Sequence, residues 1–223
     1  MAAAFRLMTA NLLHERCDVS AFARILDEVN PDVVVTQELA PGPAEVLASA
    51  FPNHRLRPSL DFTGRGVAAR LEVSFGEIEM PGRNGTSAVL SIDGHRVRLA
   101  GIHLVNPINF PWWVSARRRR LQLDGLFDWI GSADRPLVVA GDFNASPIWP
   151  AYRRMSAGLT DLVAELGESE GVTPEKTWAW RPGWPRMLRV DHVFGSGLRA
   201  TASRVLEIPG SDHHAVVVDL VIV

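Results

Sequence analysis

The pattern that most constrains the fold occurs twice. An apolar run at residues 5–10 closes on the polar residue Asn11. Phe22, Ile25, Leu26 and Val29 follow at helical spacing, with Ser20 as the expected N-cap. Asn30-Pro31 breaks that helix, and a buried-type strand beginning at Val33 leads to Glu38. The second half repeats the order. A strand over 97–103 ends on His103, and Leu123, Leu126, Phe127 and Ile130 mark a helix. Arg135-Pro136 breaks it, and a strand over 137–140 leads to Asp142. Two strand–helix–strand units therefore place Asn11, Glu38, His103 and Asp142 at comparable strand ends.

Weaker strands are expected between the halves, over 66–71, 72–78 and 86–92, with Asp93-Gly94 as the hairpin turn into the strand at 97. Residues 188–194 and 215–223 read as the closing strands. Helices outside two sheets are the economical arrangement of such a series. The 223 residues, 47% of them hydrophobic, suit one domain over 1–223 with a sizeable core.

The polar tips carry chemistry. In Gly141-Asp142-Phe143-Asn144, a carboxylate beside a metal can orient or deprotonate water, and an amide two residues on can hold that water or a phosphate oxygen. Taken alone the tetrad also reads as a plain β-turn. Ser211-Asp212-His213-His214 offers a metal-ligating carboxylate and an imidazole able to donate to a phosphoryl oxygen; its plainer reading is a solvated His-rich loop. Asp191 can pair with His213 and keep it protonated. Its neighbour His192 falls on the opposite face of the strand and reads as a satisfied core histidine. Glu38 is a candidate magnesium ligand or a surface glutamate. His103 is a candidate acid or phosphate donor, or a buried histidine bonded to backbone.

Two aromatic groups, Trp112-Trp113 and the trio Trp178, Trp180 and Trp184, lie in Pro-rich loops beside these candidates. They either cap the core or form an apolar rim suited to bases or to an acyl or prenyl chain. The run from Arg117 to Arg120 is expected to begin the second helix. There four successive residues fan around the axis as a solvated face rather than forming one flat patch.

Charge and cysteine usage narrow the classes. A formal net charge of −2 lacks the general basic footprint of a sequence-independent nucleic-acid binder. A nuclease remains open, since metal ions supply local positive charge. The single cysteine, Cys17, excludes an intrachain disulfide and a thiolate metal cluster, so hard oxygen-liganded metals fit best. No apolar run is long enough for a transmembrane segment, and the first residues lack a signal-peptide layout. The chain as given reads as a cytoplasmic monomer. A longer natural chain with an N-terminal anchor stays open.

Taken together, the GDFN and SDH motifs and the other strand tips resemble the endonuclease/exonuclease/phosphatase superfamily. That group contains DNase I-like nucleases, AP endonucleases, inositol polyphosphate phosphatases and neutral sphingomyelinases. The resemblance runs from residue 5 to residue 223. It implies an α/β (α+β) fold, a four-layer α/β/β/α sandwich of two central mixed sheets flanked by helices, with a Mg²⁺ or Mn²⁺ site at their shared edge. It assigns Asn11, Glu38 and Asp212 to the metal, makes Asp142 the water-activating carboxylate and Asn144 its positioning partner, and gives His103 the phosphate-binding or acid position. Asp191 then orients His213. Leu13 and His103 depart from the AP endonuclease pattern, which has Asp and Tyr there, and argue against abasic-site cleavage. The expected activity is metal-dependent hydrolysis of a phosphate mono- or diester on a phosphorylated small molecule or lipid phosphate. The alternatives are a nuclease on DNA or RNA and a non-catalytic binding module on the same fold.

Overall fold

Alternation along each strand sets the layers, because successive side chains point to opposite faces. The computed structural model describes residues 3–108 and 111–223. One six-stranded sheet runs, in spatial order, β11 (Leu198–Glu207), β12 (His214–Ile222), β1 (Ala4–Asn11), β2 (Val33–Gln37), β4 (Arg65–Ala69), β3 (Asn53–Arg57). The other runs β5 (Val73–Ile78), β6 (Gly85–Ile92), β7 (His95–His103), β8 (Leu137–Asp142), β10 (Asp191–Ser196), β9 (Thr160–Asp161). Both sheets are mixed. β1 and β2 are parallel, β7 and β8 are parallel, and their other neighbours are antiparallel. The twofold pattern in the sequence thus becomes one parallel pair in each sheet.

Phe5 and Leu7 of β1, with Val33 and Val35 of β2, face Leu99 of β7, Val138 and Ala140 of β8 and Val193 of β10 in the core between the sheets. Each of the larger of these side chains contributes roughly 1.5–3 kcal/mol by leaving water. The alternate residues Met8, Ala10 and Val34 pack outward against α1 (Val19–Val29) and α2 (Pro41–Ala50). On the far side, Ala100, Ile102, Val139 and Phe194 pack against α3 (Trp112–Ser132) and α4 (Pro150–Ser156). α5 (Leu162–Glu170) inserts Leu162 and Val163 into the inter-sheet core. The result is four layers, helix–sheet–sheet–helix. The sheets come close at Gly101, where a Cβ would lie 2.8 Å from Val35 Cγ1 of the opposite sheet.

A buried polar cluster ties β9 to α4 and β10. Asp161 Oδ1 caps α5 by accepting from the Ala164 amide at 3.0 Å. Its Oδ2 is 2.8 Å from Arg189 Nη1, accepts from the Tyr152 hydroxyl at 2.9 Å, and lies 3.4 Å from His192 Nδ1. His192 Nε2 is 2.8 Å from the Ala145 carbonyl, so this histidine sits as a core residue with one ring nitrogen hydrogen-bonded and the other beside Asp161. Among the described residues no helix is long and apolar enough to cross a membrane.

Several local expectations change. The cap of α1 is Asp18, not Ser20: its Oδ1 accepts from the Ala21 amide at 2.9 Å, and the helix opens at Val19 rather than after Ser20. α3 opens at Trp112, so the tryptophan pair belongs to its first turn and the arginine run lies within it. The arginines are not uniformly solvated. Arg119 is buried and donates to the carbonyls of Val105 at 2.6 Å and Phe143 at 3.2 Å, because helical rotation turns it toward the core. β10 starts at Asp191. Upstream of it Leu188 makes only an isolated bridge to Trp178.

Candidate active site

The residues that line the core continue, past its last apolar layer, into polar ones. In β1 the face carrying Phe5 and Leu7 ends at Asn11, and in β8 the face carrying Val138 and Ala140 ends at Asp142. Cross-strand register sets His103 of β7 and Asp191 of β10 beside Asp142. Four strands from two sheets therefore deliver Asn11, His103, Asp142 and Asp191 to one end of the inter-sheet space.

Asp142 stands at the centre and is almost fully buried. Its Oδ1 accepts from the Asn144 backbone amide at 2.7 Å. Its Oδ2 accepts from Asn144 Nδ2 at 3.0 Å and Asn11 Nδ2 at 3.2 Å. The same oxygen lies 3.3 Å from His103 Nε2 and 3.8 Å from His213 Nε2. Asn11 Nδ2 also donates to Glu38 Oε1 at 3.3 Å. Asp191 Oδ2 holds His213 Nδ1 at 2.9 Å, and the Thr177 hydroxyl fixes the Asp191 amide at 3.2 Å. Asp212 stands slightly apart. Its Oδ2 accepts from the Trp178 indole at 3.1 Å, and among the described residues its Oδ1 is buried without a hydrogen-bond partner.

Backbone geometry explains why these residue types recur here. Gly141 has φ +147°, and a Cβ there would meet the Ile102 carbonyl at 2.0 Å, so only glycine fits before Asp142. Asn144 and Glu38 both adopt the left-handed region, at φ 46° and 50°. Asparagine tolerates this readily; glutamate does so at a cost that the surrounding contacts must offset. Glu38 follows the last residue of β2, and the turn brings its carboxylate to Asn11. Leu13 and His14, at φ 49° and 45°, form a second strained pair on the same rim.

Burial and crowding set the charges. Burial pushes the Asp142 carboxyl up, Asp191 and Glu38 reinforce this, and His213 opposes it. Burial alone would lower His213, but the carboxylates of Asp191 and Asp142 outweigh it and raise the imidazole to about 10. His103 is held well below its ordinary value by burial, by Arg83 and by His213. Asp142 thus lies between a neutral imidazole and a cationic one.

Two residues on this rim carry no signal of their own in the sequence. His14 Nε2 lies 3.0 Å from Glu38 Oε2. Arg83, in the turn between β5 and β6, is largely withdrawn from water, feels the charges of Glu38 and Asp142, and donates to the His103 carbonyl at 3.4 Å. Arg83 lies in a turn, outside any strand. His14 was discoverable only through its closeness to Asn11.

A divalent cation fits the donor chemistry. One oxygen of Asp142 and one of Asp191 lie within 4.8 Å of each other, and Asp191 Oδ1 and Asp212 Oδ1 are buried without hydrogen-bond partners among the described residues. Glu38 adjoins this set through the Asn11 amide, whose Nδ2 donates to it at 3.3 Å while the amide oxygen, Oδ1, accepts from the Leu13 backbone at 3.1 Å. The carboxylates make the set one of hard oxygen donors, which suit Mg²⁺ or Mn²⁺.

The sequence model of a family described as "Endonuclease/Exonuclease/phosphatase family" matches residues 8–213. A UPF0294 protein of Vibrio vulnificus (strain CMCP6) is 29% identical over 142 residues, 63% of this chain and 45% of its own length. The chain thus spans less than half the length of that curated relative. Among solved structures, a humanized D. rerio TDP2 superposes with a TM-score of 0.76 at 22% identity, over 97% of this chain and 98% of its own. The 3' phosphatase NExo from Neisseria, bound to a product DNA hairpin, gives 0.69 at 22% identity, over 96% of this chain and 98% of its own. These likenesses establish a DNase I-like fold of two mixed sheets with flanking helices.

Proposed function

The chain belongs to the endonuclease/exonuclease/phosphatase family, and from that premise we propose that it hydrolyses a phosphate mono- or diester with a divalent metal ion, within one domain spanning 1–223. The observation that carries the reading is the setting of Asp142. It is a buried carboxylate ringed by two amides and a neutral imidazole, within 3.8 Å of a second imidazole that Asp191 keeps protonated. Glu38, Asn11 and Asp212 would hold Mg²⁺ or Mn²⁺, which when bound supplies Lewis-acid polarisation of the phosphoryl group.

The side chains divide the remaining work. Asp142 takes the proton of the attacking water, and Asn144 fixes the Asp142 carboxylate through two hydrogen bonds. His213 donates to a phosphoryl oxygen as negative charge builds there, and its other nitrogen stays engaged by Asp191. Neutral His103 donates or accepts beside the same oxygens. Arg83 adds a permanent positive charge at the rim.

A nuclease is the second reading. Its support is the DNA hairpin bound to a protein of the same fold, together with exposed Arg117 and Arg120 on α3. The deciding experiment measures hydrolysis of bis-p-nitrophenyl phosphate, p-nitrophenyl phosphate, a lipid phosphate and supercoiled plasmid with Mg²⁺, with Mn²⁺ and with EDTA. Ester hydrolysis lost in EDTA is expected. Efficient nicking suppressed steeply by salt would favour the nuclease. Full activity in EDTA on any substrate would exclude the metal-dependent mechanism.

Metal binding has a readout independent of turnover. At a hundredfold excess over Kd, Mn²⁺ should stabilise the folded protein by about 2.7 kcal/mol. The Glu38→Gln protein should lose most of that gain. A wild-type melting curve indifferent to Mg²⁺ and Mn²⁺ would refute the site.

A further inference from the structure

Two adjoining apolar hollows make up a trough beside Asn144. The near chamber, about 200 Å³, is lined by Asn144, Trp178, Trp180 and Leu188, and Pro107 and Trp149 stand between it and a far chamber of about 440 Å³. Trp112, Ala116 and Leu123 of α3 line the far chamber, with Arg120 beside them. The walls are mostly aromatic and aliphatic. Trp112 is 75% exposed and Trp180 55%, although large apolar side chains normally leave water.

The polar side chains along this path are largely engaged elsewhere. Asn106 accepts from the Ile108 amide, Arg119 donates to two backbone carbonyls, and Arg154 pairs with Asp124 at 2.7 Å. Asn144 is bonded to Asp142 and to the Leu104 carbonyl, and the Trp178 indole to Asp212. A nucleobase entering the trough would leave its donors and acceptors short of partners, at a cost for each one buried. A hydrocarbon chain needs none.

We propose that the trough holds the hydrocarbon portion of the substrate, a long-chain alkyl, acyl or isoprenyl phosphate ester whose phosphate lies at Asp142. This rests on the phosphoesterase reading and adds the class of substrate. The occupant is chosen by continuity: Asn144 belongs both to the cluster around Asp142 and to the trough wall. A chain attached to a phosphate held there has this apolar path directly beside it.

The test separates binding from turnover. Non-hydrolysable n-alkylphosphonates from ethyl to decyl are titrated by calorimetry into the Mg²⁺-loaded protein, and the matching alkyl phosphates are assayed as substrates. Kd is expected to fall roughly fourfold per methylene until the trough is full. In Ala116→Trp, which fills the far chamber from an exposed helix position, the gain should stop several carbons earlier within the same protein. Trp180→Ala should flatten the first part of the series. A flat series in the wild type, or an unchanged series in both variants, would overturn the proposal. So would displacement of decylphosphonate by a single-stranded oligonucleotide that Ala116→Trp no longer binds. Hydrolysis of short esters with a flat chain-length response would refute the trough alone. Chain-length-dependent binding without hydrolysis of any ester would refute the phosphoesterase reading and leave the trough standing. Decyl phosphate presented free and in phosphatidylcholine vesicles identifies the source. Faster turnover from vesicles points to a membrane lipid, faster turnover in solution to a soluble ester, and either supports the trough.

Discussion

Asp142→Asn is expected to lower kcat by roughly 10²–10⁴-fold, the range for loss of a positioned general base. The amide is nearly isosteric, so the change isolates proton transfer from shape. The side-chain oxygen can still accept from the Asn144 backbone, as Oδ1 does at 2.7 Å. The other end loses its capacity to accept from Asn11 and Asn144. Against that loss stands relief of a buried negative charge lying near Asp191 and Glu38, which burial already disfavours. These effects oppose each other, so Tm of the metal-free protein should move by no more than about 2–4 °C, equivalent to about 1 kcal/mol for a chain this size. The pair of measurements is kcat on whichever ester the wild type hydrolyses and Tm by calorimetry. Wild-type kcat in the variant would remove Asp142 from the chemistry. A collapse of Tm would show that the lost rate reports unfolding.

The largest loss of stability is expected away from this cluster, at Asp161. Asp161→Ala leaves Arg189 buried without its ion partner and Tyr152 without its acceptor, and removes the cap of α5. Breaking a buried pair from one side costs about 3–5 kcal/mol, to be read from urea unfolding. Adding Arg189→Met should recover part of the loss, because the stranded charge is what costs most. A double variant less stable than Asp161→Ala alone would refute that cause. The pH dependence has a definite sign. Burial by itself would raise the Asp161 carboxyl, but His192, Arg189 and the Ala164 amide overcome burial and hold it well below its ordinary value of 3.8. Its contribution is therefore complete above about pH 4 and is lost as pH falls from there toward the depressed folded-state value. In Asp161→Ala that part of the acid sensitivity should be missing.

Much of the frame was legible because it rests on local rules. The polar ends of β1, β7 and β8 follow from apolar runs that stop, and parallel pairing of β1 with β2 and of β7 with β8 follows from strand–helix–strand order. Glu38 was found by its place after a strand, although strand parity alone favours Gln37, whose side chain instead bonds Thr9 on the core face. The left-handed turn at Glu38 is invisible to a pattern of alternating hydrophobicity. Other elements were hidden for physical reasons. β11 is an edge strand, mostly solvent-facing from Thr201 to Glu207, so it shows no clean alternation. α4 and α5 are short, and each buries only a few residues. Arg119 lies in a run of four arginines, and only its position on α3 turns it inward. Arg83 reaches the rim from a turn, through a contact between residues 20 apart that no local spacing encodes.

The pairing of β12 with β1 has a consequence in time. Residues 4–9 find their neighbours at 216–221, so β1 waits for a strand that is made long after it. While the ribosome is still adding residues, β1 has an open edge and Asn11, His103 and Asp142 have no His213 to join them. The cluster around Asp142 is therefore incomplete until the segment around 213–222 clears the exit tunnel. A translation product stopped short of β12 would expose the open edge of β1, a target for chaperones and proteases.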